Sequence, residues 1–287
     1  MQIQELIPLA PRTTMRIGGN ARYYAELQTQ RDAEEAWQFA QQNNVPMIVL
    51  GAGSNTIFAD GTIGALVARV LANATDVSGN TVRVDAGASL ATVVTQLAKR
   101  GLDLSPLTGI PGTVGGALFG NAGQGPQGIW IDHFVQTVTV LLNGEWKTFS
   151  REECEFRYRE SIFKHLDHPL LWKTTLSVPS RAAKEIESDI NTLLKKRSIA
   201  QPFTRTAGSC FKAMNGTPAW KIIDAAGLKG AKVGDLQVSD KHANFLINTG
   251  NGTYDDAKSL VTEIREKTGS PLELEMRFIE ESGALLQ

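Results

Sequence analysis

Apolar residues recur at helical spacing through Asp32–Asn43 (DAEEAWQFAQQN), behind acidic residues in the first turn, and the run Val45–Leu50 (VPMIVL) follows at once. That pattern predicts a helix leading into a buried strand, which ends at Gly51-Ala-Gly-Ser-Asn55. Short β-type runs come next at Ala65–Val70 and at Thr81–Ala86, where Val82 and Val84 alternate with polar residues. Leu90–Arg100 (LATVVTQLAKR) reads as an amphipathic helix stopped by Gly101. Phe134–Leu142 and Glu145–Phe149 flank Asn143-Gly144, a hairpin signal because both central positions of a type I′ turn need positive φ. Ser150-Arg-Glu-Glu153 has the spacing of a capping box and predicts a short helix, and Leu170–Val178 predicts another strand.

From Ala182 to Lys196 the chain turns charged and helical, and this shift in composition marks the main expected boundary. Beyond it the patterns predict a helix at Ala219–Ala226, a strand at His242–Asn248, a helix at Tyr254–Thr268 and a strand at Leu272–Ile279. The expected class is α+β. Three segments are expected: 1–71 and 72–185 as two lobes of one domain, and 186–287 as a separate α+β domain.

Composition narrows the function. Lys plus Arg number 29 and Asp plus Glu 30, a formal charge of −1, which argues against gripping nucleic acid or an anionic membrane as the main task. Of 27 glycines, eight fall within Gly109–Gly128, so one segment needs bare backbone. Two cysteines, Cys154 and Cys210, cannot build a disulfide framework, and a reducing cytoplasm suits them. No apolar run approaches the ~18–20 residues of a membrane helix, and Met1–Arg12 lacks a signal-peptide pattern. The four histidines, His133, His165, His168 and His242, form no metal-ligand pattern with the cysteines, so no metal is expected.

Gly51-Ala-Gly-Ser-Asn55 follows a strand as a dinucleotide fingerprint would, but Thr56 stands where the third glycine belongs and no helix pattern follows. A Gly-Lys-Ser/Thr phosphate loop is absent from the sequence. What remains is either an ordinary tight turn or a strand end whose N–H groups cradle a diphosphate. In Gly109-Ile-Pro-Gly-Thr-Val-Gly-Gly-Ala-Leu-Phe-Gly-Asn-Ala-Gly123, the apolar Ile110, Val114, Leu118 and Phe119 interleave with glycine. Such anchors stiffen a surface on which a flat ligand can lie.

Seven motifs then occur in order: Arg16-Ile-Gly-Gly19; Val49–Asn55; Gly109–Gly116 with Gly120–Gly123; Tyr158-Arg-Glu-Ser161; Ala207-Gly-Ser-Cys-Phe-Lys212; Ser239-Asp-Lys-His-Ala-Asn-Phe245; and Leu272-Glu-Leu-Glu-Met-Arg277. Together they closely resemble the UDP-N-acetylenolpyruvoylglucosamine reductase (UDP-N-acetylmuramate dehydrogenase) family, over about residues 16–279. The 50-residue interval from Arg159 to Ser209 resembles its shorter subclass, which lacks a tyrosine-bearing loop over the substrate. The resemblance implies a two-lobed FAD-binding domain of the vanillyl-alcohol-oxidase type plus a C-terminal substrate domain. It implies reduction of the flavin by NADPH and reduction of an enolpyruvyl ether on UDP-N-acetylglucosamine to UDP-N-acetylmuramate, a peptidoglycan precursor. It further implies a small-molecule substrate, with neither nucleic acid nor membrane as partner.

By the same resemblance, Arg16, Gly18, Gly51, Gly53, Ser54, Asn55, Gly109, Gly112, Thr113, Gly115, Gly116, Asn121 and Gly123 contact the cofactor. Arg159 matches the catalytic arginine, and its planar fork suits a substrate carboxylate. Arg157 shares its face if that segment is extended and not if it is helical. Ser209 matches the proton donor, while the neighbouring Cys210 is expected to be a packed bystander. Glu275 matches the catalytic glutamate; in a strand it points with Glu273 and Arg277, opposite Leu272, Leu274, Met276 and Phe278. A partly buried glutamate there can hold a proton at neutral pH. Lys212, Lys241 and His242 are secondary candidates. Ala213 departs from the family's usual Asn-Pro and Leu274 from its usual proline. Two alternatives stay open: another FAD oxidoreductase of this fold, though Gly109–Asn121 holds no histidine for covalent flavin, and a nucleotide-sugar-binding protein without activity.

Overall fold

Alternating apolar residues at Val138 and Val140, buried on one side of the expected hairpin, build the largest sheet. A computed structural model describes residues 1–124 and 128–286; Gly125, part of the glycine-dense window, lies outside them. The sheet has five antiparallel strands in the order Thr75–Ser78, Thr81–Asp85, Leu170–Ser177, Val135–Leu142, Glu145–Ser150. Asn143 (φ 52°) and Gly144 (φ 82°) close the hairpin with the two positive φ values that a type I′ turn requires.

The chain forms two compact units, each assembled from separated stretches. One comprises Met1–Ile3, Tyr24–Gly51 and Leu66–Lys196; the other comprises Gln4–Tyr23, Ala52–Ala65 and Arg197–Gln287. The first holds the five-stranded sheet. It also holds the helix Gln30–Gln42, opened by a complete Thr29/Asp32 capping box, and the strand Met47–Leu50, parallel to Leu66–Arg69. Its helix Leu90–Ala98 buries Leu90, Val93, Val94 and Leu97, as the amphipathic pattern requires.

The second unit carries an antiparallel sheet in the order Thr206–Ser209, Phe245–Asn248, Leu236–Val238, Lys232–Val233. It adds the helix Tyr254–Thr268 and a parallel pair of short strands, Thr56–Phe58 with Arg277–Ile279. A strand directly after Asn55, in place of a helix, agrees with the rejection of a dinucleotide fingerprint.

Four expectations are corrected. Ser150 and Glu153 do exchange capping-box hydrogen bonds, Ser150 N–H to Glu153 Oε2 at 2.7 Å and Glu153 N–H to Ser150 Oγ at 3.3 Å. No helix follows, because the chain leaves the turn through Glu155 at φ 47°. Leu272–Ile279 is a strand only over Arg277–Ile279; before that its β-pairing is one isolated bridge, Leu274 to Phe211. The strand expected from His242 starts at Phe245, since a turn closes from Phe245 N–H to the His242 carbonyl. The glycine-rich segment contains a helix, Val114–Phe119, despite glycine's low helix propensity. Thr113 caps it, Oγ1 accepting from Gly116 N–H at 3.2 Å, and Val114, Ala117 and Leu118 bury it.

Candidate active site

In the first unit the two glycine segments meet. A side chain added at Gly51 would place its first carbon 2.7 Å from Thr113 Oγ1, and one at Gly115 would fall 2.8 Å from Ala86 Cβ. Only bare backbone fits at these two approaches. Thr108 Oγ1, just before the glycine-rich segment, is buried with no partner among the described residues. A buried hydroxyl without a partner costs stability, so it marks a place where a polar ligand atom belongs.

Arg159 occupies a tight turn. Arg157 N–H donates to the Glu160 carbonyl and Glu160 N–H to the Arg157 carbonyl, both at 3.0 Å. The backbone is neither the strand nor the helix considered for this segment. Arg159 itself is left-handed (φ 57°), a conformation that costs a non-glycine residue ~1–3 kcal/mol and persists only where surroundings enforce it. The enforcement is visible. Asn121 Nδ2 donates to the Arg157 carbonyl at 3.0 Å, Arg159 Nη2 to the Gly123 carbonyl at 3.1 Å, and Ser161 Oγ to the Phe119 carbonyl at 2.8 Å. Asn121 and Gly123, expected at the cofactor, thus also tie the Arg159 turn to the end of the glycine-rich segment. Arg157 is exposed and pairs with Glu155, whereas Arg159 is half-buried.

The second unit gathers the other candidates. Gly53 takes φ 63°, and a side chain on it would sit 2.2 Å from the Arg12 carbonyl. Thr14 donates from both N–H and Oγ1 to the Gly53 carbonyl, fixing the loop. The N–H groups of Ala52, Gly53 and Asn55 donate to no other described residue, which is the arrangement an anion needs. Asn55 does more than line that loop. Its Nδ2 donates to the Glu275 carbonyl at 2.9 Å, and its own carbonyl accepts from Arg277 N–H at 3.0 Å. Arg16 Nη1 donates to the Pro11 carbonyl at 2.7 Å. Gly18 (φ 141°) packs against Phe58.

Ser209 ends its strand, opposite Phe245, beyond a register irregularity, a common device for re-aiming a side chain beside a site. Its half-buried hydroxyl is bonded to no other described residue. Glu275 reaches the same turn: Glu275 N–H donates to the Cys210 carbonyl at 2.8 Å. The structure therefore brings Ser54, Asn55, Ser209 and Glu275 together within one unit. Burial pushes the Cys210 thiol well above its ordinary range, and burial pushes Cys154 up to about 12, so neither is a nucleophile at neutral pH. Lys212 pairs with Glu273 at 2.5 Å, Lys241 Nζ donates to the Ser198 carbonyl, and the His242 ring lies edge-on to Phe245 and tilted against Trp220. Those contacts are internal to the protein. Asn244 lies within the motif Ser239–Phe245, but no role was expected of it. Its signals were that motif and a carboxamide inside the apolar run Ala243–Leu246.

Among the described residues, no group of His, Cys, Asp and Glu could hold a metal, and no helix is long and apolar enough to cross a membrane. Two family descriptions match the chain: "FAD binding domain" over residues 21–150, and "UDP-N-acetylenolpyruvoylglucosamine reductase, C-terminal domain" over 200–279. A UDP-N-acetylenolpyruvoylglucosamine reductase of Chlamydia abortus is 36% identical over 274 residues, covering 93% of this chain and 91% of the relative. One of Carboxydothermus hydrogenoformans is 38% identical over 263 residues, covering 90% and 86%. The crystal structure of the UDP-N-acetylenolpyruvylglucosamine reductase of Thermus caldophilus superimposes with a TM-score of 0.84 at 31% identity, covering 97% of this chain and 99% of that one.

Proposed function

Because the chain belongs to the UDP-N-acetylenolpyruvoylglucosamine reductase family, we propose that it reduces the enolpyruvyl ether of UDP-N-acetylglucosamine to UDP-N-acetylmuramate, using FAD and NADPH. The residues present fit the cofactor: in the first unit the bare approaches at Gly51 and Gly115 suit a planar ligand, and in the second the N–H groups of Ala52, Gly53 and Asn55, bonded to no other described residue, suit a diphosphate. When bound, FAD takes up two electrons from NADPH and supplies them as a hydride equivalent to the enolpyruvyl double bond.

The protein's part is to hold charge and a proton. Adding hydride to the β-carbon leaves an enolate-like carbanion beside a carboxylate. Arg159 pairs its planar guanidinium fork with that carboxylate in a bidentate manner. Ser209 offers its hydroxyl proton to the adjacent carbon. Glu275 supports the same developing charge. The observation that carries this reading is the anchoring of Ser209 and Glu275 to opposite sides of one residue, Cys210, with the Ser209 hydroxyl left unbonded. The remaining cofactor residues, Gly18, Ser54, Gly109, Gly112, Gly116 and Arg16 included, and the segments 1–71, 72–185 and 186–287, belong to the same proposal. So does a cytoplasmic location, in keeping with two buried free thiols.

The test is Ser209→Ala. Bound flavin should still be reduced by NADPH at nearly the wild-type rate, while turnover of the enolpyruvyl nucleotide falls by about 10²–10⁴-fold, the usual contribution of a positioned acid. Wild-type turnover in that variant would overturn the assignment.

A further inference from the structure

The turn that carries Ser209 has no strand beside it after Phe245, so something else must satisfy its backbone. Asn244 does. It is 6% exposed, and its carboxamide makes a two-way bond to a single residue. Phe211 N–H donates to Asn244 Oδ1 at 2.9 Å, and Asn244 Nδ2 donates to the Phe211 carbonyl at 2.8 Å. Cys210 N–H donates to the Asn244 carbonyl at 2.8 Å. A side chain thereby imitates the edge of a strand, where the ladder from Thr206–Ser209 to Phe245–Asn248 stops.

We infer that Asn244 is a positioning residue for the Ser209 hydroxyl, acting through the main chain of Cys210 and Phe211. The inference rests on the reading of Ser209 as proton donor. The carboxamide serves stability as well as position. An apolar side chain would fill the space without desolvating an amide, at the cost of leaving the Phe211 N–H and carbonyl unpaired. What the carboxamide adds is one fixed backbone conformation directly after Ser209. The Cys210 carbonyl, on the far side of the same residue, receives Glu275 N–H, so the conformation that Asn244 selects also sets the distance between the two candidate groups. Asn244 is held in turn, its N–H donating to His242 Nδ1 at 3.3 Å. Proton transfer to carbon tolerates little error, and a misplacement of about 1 Å can cost about 10²-fold in rate.

The experiment is a double-mutant cycle on the flavin-loaded protein, with the two half-reactions followed separately. Asn244→Ala should leave flavin reduction by NADPH within about twofold and slow reoxidation by the enolpyruvyl nucleotide by about 10²-fold, lowering kcat with little change in KM. Added to Ser209→Ala, it should cost almost nothing more, since it works through the group already removed. Wild-type reoxidation in Asn244→Ala, or a loss fully additive with Ser209→Ala, would overturn the inference. If Ser209→Ala alone reoxidises at the wild-type rate, it is the proton-donor reading that fails. Should Asn244→Ala not fold, hydrogen exchange in the wild-type holoenzyme decides. Protection of the Phe211 amide at the level of the Phe245–Asn248 strand supports the clamp, and loop-like exchange overturns it.

Discussion

His242 shows how one residue links the fold to pH. Its ring packs against Phe245 at 4.8 Å between centroids, and burial lowers its pKa below the ordinary 6.5. Its Nδ1 accepts from Asn244 N–H, which requires that nitrogen to be unprotonated. As pH falls through 6.5 the unfolded chain takes up the proton first, so stability is full above 6.5 and declines from there down to the folded pKa. Denaturant unfolding of wild type should therefore show a midpoint that falls as the pH drops below 6.5, and His242→Gln should flatten that part of the profile. An identical decline in the variant would show that other groups cause it. Arg159 and Ser209 illustrate what a single sequence conveys at this scale. Their proposed roles come from resemblance, but the left-handed turn under Arg159 was not legible, because nothing local in Phe-Arg-Tyr-Arg-Glu-Ser demands positive φ; Asn121, 36 residues upstream of Arg157, helps to impose it.

Elements with local signals were legible. The helix Tyr254–Thr268 has its capping box at Thr253 and Asp256 and a left-handed Gly269 (φ 58°) just after its last residue, all readable in place. Leu272–Met276 failed for the opposite reason: its alternation is that of a strand, yet its partners are a bridge at Phe211 and carbonyls of the Cys210 turn, set by tertiary contacts. The glycine loop after the strand Met47–Leu50 can be tested against a neutral glycine. Gly79 (φ 59°) has nothing within 4 Å of an added side chain, so Gly79→Ala should cost ~1–2 kcal/mol and keep the flavin. Gly53→Ala adds a clash with the Arg12 carbonyl to a similar strain, and should lose more stability and release FAD on desalting. Equal flavin retention in the two variants would mean that the Gly53 loop is not part of the cofactor site.

At the scale of the molecule, a chain of net charge −1 must hold an anionic nucleotide sugar with a few placed groups rather than a broad positive field. Of the proposed groups, Arg159 belongs to one compact unit, and Ser209, Glu275 and Asn244 belong to the other. The glycine excess that composition revealed is resolved into two close backbone approaches and a helix. The central claim is the reaction itself, and anaerobic stopped-flow absorbance tests it most directly. NADPH should bleach the bound flavin, and the enolpyruvyl ether of UDP-N-acetylglucosamine should restore its colour in the absence of oxygen. A protein that FAD cannot reconstitute, or a reduced flavin restored by oxygen alone, would contradict the account.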